Sequence, residues 1–512
     1  MRRIVGILLV LTAWCAAQDE TAEYAKALRL QSKKKWVSAQ KAFRRFLRDH
    51  PESPLAKGAA NRSNDNCYLG TEMLWKGGPP ANRVDLAVMG DGFTVDSASQ
   101  RKQEKWAKLC IDVLWNEKGL SQYRSYFNVY FVRLGSLEEG VDPQLSPDQL
   151  RKIQEKNRGR SKSRQKKTNF STALEAKAAG PQGQVVMDRK LVYKWLDIAD
   201  GDIKGAGDDR YVIAFAQFGK LGMGGGGIAN VGRPDKSVTT HEFGHAFSRL
   251  RDEYANNPNA PRGMYAKTLN SPNSWVSDKE PKPSEVPWAH WLKKRAKGVG
   301  IHEGGATFKK GVWRPARGCA MNAAGNNAFC PICREQTILV IYEHVSPIDD
   351  AQPAPSQEIE MTEGDKRFLT VVPMEPHKHK LNVDWYVVDH VTTKSEHGEE
   401  FEEIQPAAPP QDPQRPRMMF TMGGKRAKQD RSMYNNAPSG KRVTKLAKRI
   451  RGKGRGDKRT PTRSVFPLAK LGVGTWRITA QVEDRTKFVL KDEMHLLQQR
   501  TTWTVTVHPT KP

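Results

Sequence analysis

The sequence predicts a multidomain protein: an N-terminal helical hairpin, a central α/β domain and a C-terminal β-sandwich. Three observations carry this prediction. Apolar residues recur at helical spacing near the N-terminus, short apolar strands flank an amphipathic helix from Arg83 onward, and from about Pro347 the pattern changes to period two. A chain of 512 residues is also too long for one ordinary domain.

Met1-Arg2-Arg3 is a basic start, Ile4 to Ala13 is a short apolar run, and Cys15-Ala16-Ala17 is a small-residue cleavage site. Residues 1–17 therefore read as a secretory signal peptide, too short to span a membrane. The expected localisation is secreted or periplasmic. No transmembrane segment is expected, since no later stretch approaches the roughly 20 apolar residues a spanning helix needs.

Residues 18–60 form the expected hairpin. Trp36, Ala39, Phe43, Phe46 and Leu47 fall at helical spacing, and Pro51 with Pro54 stops the second helix. Trp36 to Ala56 resembles part of a tetratricopeptide repeat. One such unit cannot bury its own apolar face, so it must pack on the next domain or on a partner.

The central domain is expected over 80–346. Val84 to Met89 is a short buried-type strand ending in Gly90-Asp91-Gly92. A helix follows with Trp106, Leu109, Cys110, Val113 and Leu114 on one face, and Phe127 to Leu134 is a second strand. Tyr211 to Ala216 is a third, with the flexible Gly224 to Gly227 shortly after it. The β-sandwich is expected over 350–512. Phe368 to Val372, Leu381 to Val388, Thr475 to Val482 and Thr502 to Val507 alternate there, with Trp476, Ile478, Ala480 and Val482 on one face and Trp503, Val505 and Val507 on another.

The formal net charge is +28, but it is concentrated. Arg415 to Arg463 carries +15 and Arg151 to Lys167 carries +8. These runs are expected as a basic insertion at 151–169 and a disordered basic insertion at 403–464, since such runs are solvated and build no core. They predict no specific nucleic-acid partner, though their charge density could attract an anionic surface or polyanion.

Without the signal, Cys67, Cys110, Cys319, Cys330 and Cys333 remain. Outside the cytosol disulfides are expected, and the odd count leaves one thiol over. Metal ligation by Cys330-Pro-Ile-Cys333 is the alternative, although a zinc ribbon needs a second pair at similar spacing.

Residues 241–245 read His-Glu-Phe-Gly-His. On a helix, positions i and i+4 share a face, so His241 and His245 can reach one zinc ion at about 2.0–2.1 Å. Glu242 then faces the open side of the metal as general base. A catalytic site needs a third ligand, and Asp252 and Glu253 are the nearby carboxylates. Were the helix unbroken, Asp252 would lie about 10 Å further along its axis, so ligation requires the chain to turn back after His245.

His241 to Tyr254 resembles the metal-binding signature of the M64 peptidases, the igalysins, a metzincin-like group. Arg83 to Thr94, Glu139-Gly140-Val141-Asp142, Glu303-Gly304-Gly305, Arg314-Pro315, Cys319-Ala320-Met321 and Phe329 to Arg334 resemble further landmarks of that family. The resemblance covers about Arg83 to Tyr342. It implies an α/β metzincin-like zincin domain using Zn2+ to hydrolyse protein or peptide substrates. It also implies Asp252 as third ligand, Met321 as the methionine turn beneath the metal, and Gly224 to Gly227 beside the substrate cleft. Metzincins carry glycine where Ser248 stands, and that glycine makes the turn before the third ligand. Glu253 is therefore kept as the alternative ligand and Glu303 as a further candidate. The expected function is a secreted zinc-dependent endopeptidase with Glu242 as general base. The alternative is a catalytically weak protein of that fold, binding surfaces or polyanions through its basic insertions.

Overall fold

The computed structural model describes residues 20–63, 67–161, 164–179, 183–206, 208–219, 221–322, 328–355, 357–389, 441–451 and 461–510. The expected signal peptide and most of the expected insertion at 403–464 lie outside them. The chain is a multidomain α/β protein with several sheets. No described helix is long and apolar enough to cross a membrane.

At the N-terminus, helical residues 20–32 and the helix Trp36–Asp49 form the expected pair, and a third helix, Ala56–Ser63, closes on them. Ala27, Ala39, Phe43, Phe46 and Ala59 make a small core. The remaining apolar face packs on the next domain, as a lone repeat requires: Trp36 meets Leu69 and Val95, and the Arg133 guanidinium lies 5.0 Å from the Trp36 ring centre. Arg62 adds an ion pair to Asp202.

The central domain begins earlier than the sequence suggests, at the strand Cys67–Lys76. That strand lies at one edge of a six-stranded sheet, antiparallel to Phe127–Gly135. Val84–Asp91, Tyr211–Ala216 and Ile228–Val231 follow in parallel order, and Met223–Gly225 is antiparallel at the far edge. Val84–Asp91 and Phe127–Gly135 are buried along their whole length, which is why they read as continuous apolar runs. On the helix Ser97–Asn116 the buried face holds Ala107, Cys110, Ile111, Val113 and Leu114, while Leu109 points outward. The basic run at 151–169 begins inside a helix, Pro147–Asn157. Ser146 and Gln149 close its N-terminus in a reciprocal capping box.

The C-terminal region has two sheets. One orders Ile348–Gln352, Phe368–Pro373, Arg463–Pro467 and Lys448–Ile450; the other orders Ile359–Thr362, Gln498–His508, Gly474–Glu483, Asn382–Asp389 and Lys441–Arg442. Trp385 of the second stacks on Phe466 of the first at 5.3 Å. The segment expected to be disordered over 403–464 is thus structured in part. Residues 441–451 supply two short paired strands, because Val443, Leu446 and Ala447 pack on the core and Thr444 bonds to Trp385 and Asp384.

The central and C-terminal regions share one continuous hydrophobic core. At their junction Asp484 accepts hydrogen bonds from Tyr123 (2.7 Å) and Tyr342 (2.8 Å), and His379 lies 2.8 Å from its other oxygen. Arg83 pairs with both oxygens of Asp349.

Candidate metal centre

The motif helix, Lys236–Ala246, starts where the sheet ends. Asp235 caps it, accepting from the Ser237 and Val238 backbone N–H groups at 2.9 Å each, a device worth about 1 kcal/mol. The helix stops after Ala246, and the chain folds back so that the Leu250 N–H reaches the Gly244 carbonyl. The left-handed residue in that reversal is Arg249, at φ 60°. The turn that metzincins make with glycine at the position of Ser248 is therefore made one residue later. A left-handed non-glycine residue costs roughly 1–2 kcal/mol. The Arg249 side chain is held there by a two-pronged ion pair with Glu343 at 2.7 and 3.2 Å. Ser248 is instead buried, with its hydroxyl 2.8 Å from that of Thr337.

The reversal brings Asp252 to the histidines. Its Oδ1 lies 3.1 Å from His241 Nε2 and 3.0 Å from His245 Nε2, and the two Nε2 atoms are 3.1 Å apart. Ligands around tetrahedral zinc stand roughly 3.3 Å from one another, so this donor set fits the ion. The opposite face of each ring is fixed as a metal ligand requires. His241 Nδ1 donates to the Ala320 carbonyl at 2.9 Å and His245 Nδ1 to the Leu250 carbonyl at 2.7 Å, which turns both Nε2 lone pairs toward the shared point. Burial pushes the His245 imidazole down, but the hydrogen bond and charge of Asp252 outweigh it and raise it to about 9. Burial likewise opposes ionisation of Asp252, yet its hydrogen bonds to the two histidines hold it well below the usual carboxylate range.

Glu242 lies beside this set and is 5 % exposed. Burial raises its carboxyl, with His241 and His245 pulling the other way and the Gly224 N–H donating to it. The edge strand Met223–Gly225 approaches the motif helix closely: a Cβ at Gly224 would run into the Glu242 carbonyl oxygen and come within 2.9 Å of His245 Cβ. Glycine is needed here for closeness, not only for flexibility.

Glu253 and Glu303 are not brought to the histidines. Glu253 is wholly buried away from them, bonded by Asn273 and Cys333. Glu303 is taken up by Lys310 and the Gly311 N–H. Met321 is wholly buried beneath the motif helix, and its backbone carbonyl accepts from the Glu253 N–H at 2.6 Å. A Cβ on Gly244 would lie 2.5 Å from Met321 Sδ and 3.1 Å from Phe329. Alanine favours a helix over glycine by about 1 kcal/mol, whereas overpacking a filled core costs about 1–3 kcal/mol. Gly244→Ala is accordingly expected to lower stability, and an unchanged or raised unfolding midpoint would contradict the tight seat.

Sequence reasoning missed three supports. Asn273 bridges the backbone of Arg251 and the carboxylate of Glu253, and no motif marks it. Tyr254 stacks on His241 with ring centres 6.0 Å apart. The described cysteines Cys110, Cys319, Cys330 and Cys333 are free thiols, contrary to the disulfides expected from compartment alone, and three of them gather beside Glu253.

A helix-borne histidine pair closed by a carboxylate, with a buried glutamate beside it, is the donor set of a mononuclear metallohydrolase. The family model described as IgA Peptidase M64 matches residues 73–154, which hold the strands Val84–Asp91 and Phe127–Gly135 and the helix Ser97–Asn116, upstream of the motif. The match supports an M64 family peptidase, a hydrolase of protein or peptide substrates, and M64 peptidases are metallopeptidases. A comparison with curated proteins finds no match.

Proposed function

We propose that the protein is a secreted zinc endopeptidase of metzincin-like fold, with His241, His245 and Asp252 as metal ligands and Glu242 as general base. The observation that carries this reading is the convergence of the three ligand atoms at 3.0–3.1 Å, with both imidazoles fixed from behind by backbone carbonyls. The parallel sheet with its antiparallel edge strand above the motif helix, and Met321 below it, support the metzincin comparison. The stacked faces of the two C-terminal sheets support a β-sandwich there.

Zinc held by His241, His245 and Asp252 would supply a Lewis acid for an attacking water and the scissile carbonyl. Glu242 takes a proton from that water and returns it to the leaving amine nitrogen, a transfer its burial and raised proton affinity favour. The edge strand Met223–Gly225 offers backbone groups on the cleft side, where an extended peptide can align by strand addition. The basic segments at 151–169 and 403–464 take no part in this chemistry. We assign them the attraction of anionic surfaces or polyanions, a property that can coexist with hydrolysis.

Chelation tests both readings at once. Casein hydrolysis is expected to stop on removal of metal and to return with zinc. Retention on heparin should survive chelation and fall as salt rises. Hydrolysis that persists in the metal-free protein overturns the peptidase mechanism.

A further inference from the structure

Behind the candidate catalytic centre lies a second group of metal-competent side chains. Glu253, Cys319, Cys330 and Cys333 each offer a ligand atom, and the four atoms lie within 4.8 Å of one another. All four residues are buried, none more than 4 % exposed. Cys333 Sγ is 3.0 Å and Cys330 Sγ 3.8 Å from Glu253 Oε1. The other carboxylate oxygen, Oε2, is buried with no hydrogen-bond partner. Among the described residues no cationic side chain forms an ion pair with Glu253. A buried carboxylate without a cation is costly; Asn273 donates to Oε1 at 3.1 Å, and the other side-chain partners of this carboxylate are sulfurs.

Two of the three sulfurs accept backbone N–H bonds, as thiolates do, and the third, that of Cys333, faces the carboxylate. Cys330 caps the helix Pro331–His344, and its Sγ accepts from the Cys333 N–H at 3.5 Å. Cys319 Sγ accepts from the Cys330 N–H at 3.3 Å. Backbone donors at the positive end of a helix favour negative charge on sulfur.

We propose that Glu253, Cys319, Cys330 and Cys333 bind a second, structural divalent ion of the zinc type. Three thiolates select a soft, borderline metal over calcium or magnesium, and four protein ligands close the coordination sphere, as structural sites do. Binding forms three metal–sulfur bonds and one metal–carboxylate bond and releases the three thiol protons to solvent. The ion ties together the two segments that position the catalytic set. Glu253 directly follows Asp252, and Cys319 directly precedes Ala320, whose carbonyl orients His241. The spacing of Cys330 and Cys333 was visible in the sequence, but their partners lie 11 and 77 residues before Cys330 and only the fold gathers them.

The purified full chain is expected to hold two zinc ions. The double variant His241→Ala/His245→Ala should keep one. After exchange into cobalt, both proteins should show a near-ultraviolet thiolate-to-cobalt charge-transfer band, which a site of two histidines and one aspartate cannot produce. Cys330→Ser should lose one equivalent and most of that band; should that variant fail to fold, the cobalt spectrum of the unaltered chain decides. A single equivalent with no charge-transfer band overturns the proposal. So does mass spectrometry that finds two of the three cysteines joined in a disulfide. Neither readout depends on peptidase activity, so the catalytic reading stands or falls separately.

Discussion

Glu242→Ala is expected to keep its zinc at the histidine centre and to lose at least about 10³-fold in kcat. The two halves of this outcome have separate causes. Zinc stays because Glu242 is not among the three groups that converge; His241, His245 and Asp252 hold their geometry through Ala320 and Leu250, which the substitution does not touch. Turnover should fall because, in the proposed mechanism, the same carboxylate both accepts the proton of the attacking water and donates to the leaving amine. Burial raises its proton affinity, which favours uptake of the proton from the water. Near-normal turnover by the zinc-loaded variant would sink the assignment of the base.

Asp252 and Glu253 are adjacent carboxylates with opposite surroundings, and their alanine variants should diverge. Asp252→Ala removes an oxygen 3.0–3.1 Å from both imidazoles and should weaken the zinc that supports activity by roughly 10²-fold or more. Glu253→Ala leaves all three donors in place. It should weaken that affinity less than Asp252→Ala does, through loosening of the segment that its carboxylate ties to Asn273 and to the thiol cluster. The measurement is recovery of hydrolysis against free zinc in a metal buffer. If Glu253→Ala alone abolishes recovery, the ligand assignment is off by one residue.

The motif helix, the strands Val84–Asp91, Phe127–Gly135 and Tyr211–Ala216, and the period-two strands of the C-terminal region were legible in the sequence, because each rests on local periodicity or on a short spacing. Met223–Gly225 and Ile228–Val231, which lie against the motif helix, were not, since a glycine run read only as flexible. His241 and His245 are one turn apart on any helix, so their partnership needs no tertiary knowledge. Asp252 was reachable only through the family resemblance, since its approach depends on a reversal at Arg249 that composition does not announce. The ion pair that holds this arginine comes from Glu343, 94 residues away. The strand Cys67–Lys76 escaped notice because it sits at a sheet edge, where residues such as Met73 remain exposed and the apolar signal is weak. The paired strands within 441–451 were hidden by their charge: a lysine- and arginine-rich run reads as solvated even where Val443 and Leu446 anchor it. Disulfides were expected from compartment, a property of the surroundings, while the thiol cluster depends on which chain segments meet.

The tyrosine hydroxyls that converge on Asp484 bear on how the molecule comes apart. Tyr123 and Tyr342 belong to the central domain, and Asp484 belongs to the C-terminal one. Separating the two regions would take two phenols from the carboxylate they donate to and open a core that runs through both. The border visible in composition near Pro347 is therefore not an energetic border. Heat or denaturant meets one cooperative unit there, and a fragment trimmed to the motif-bearing half would carry a raw apolar face into solution.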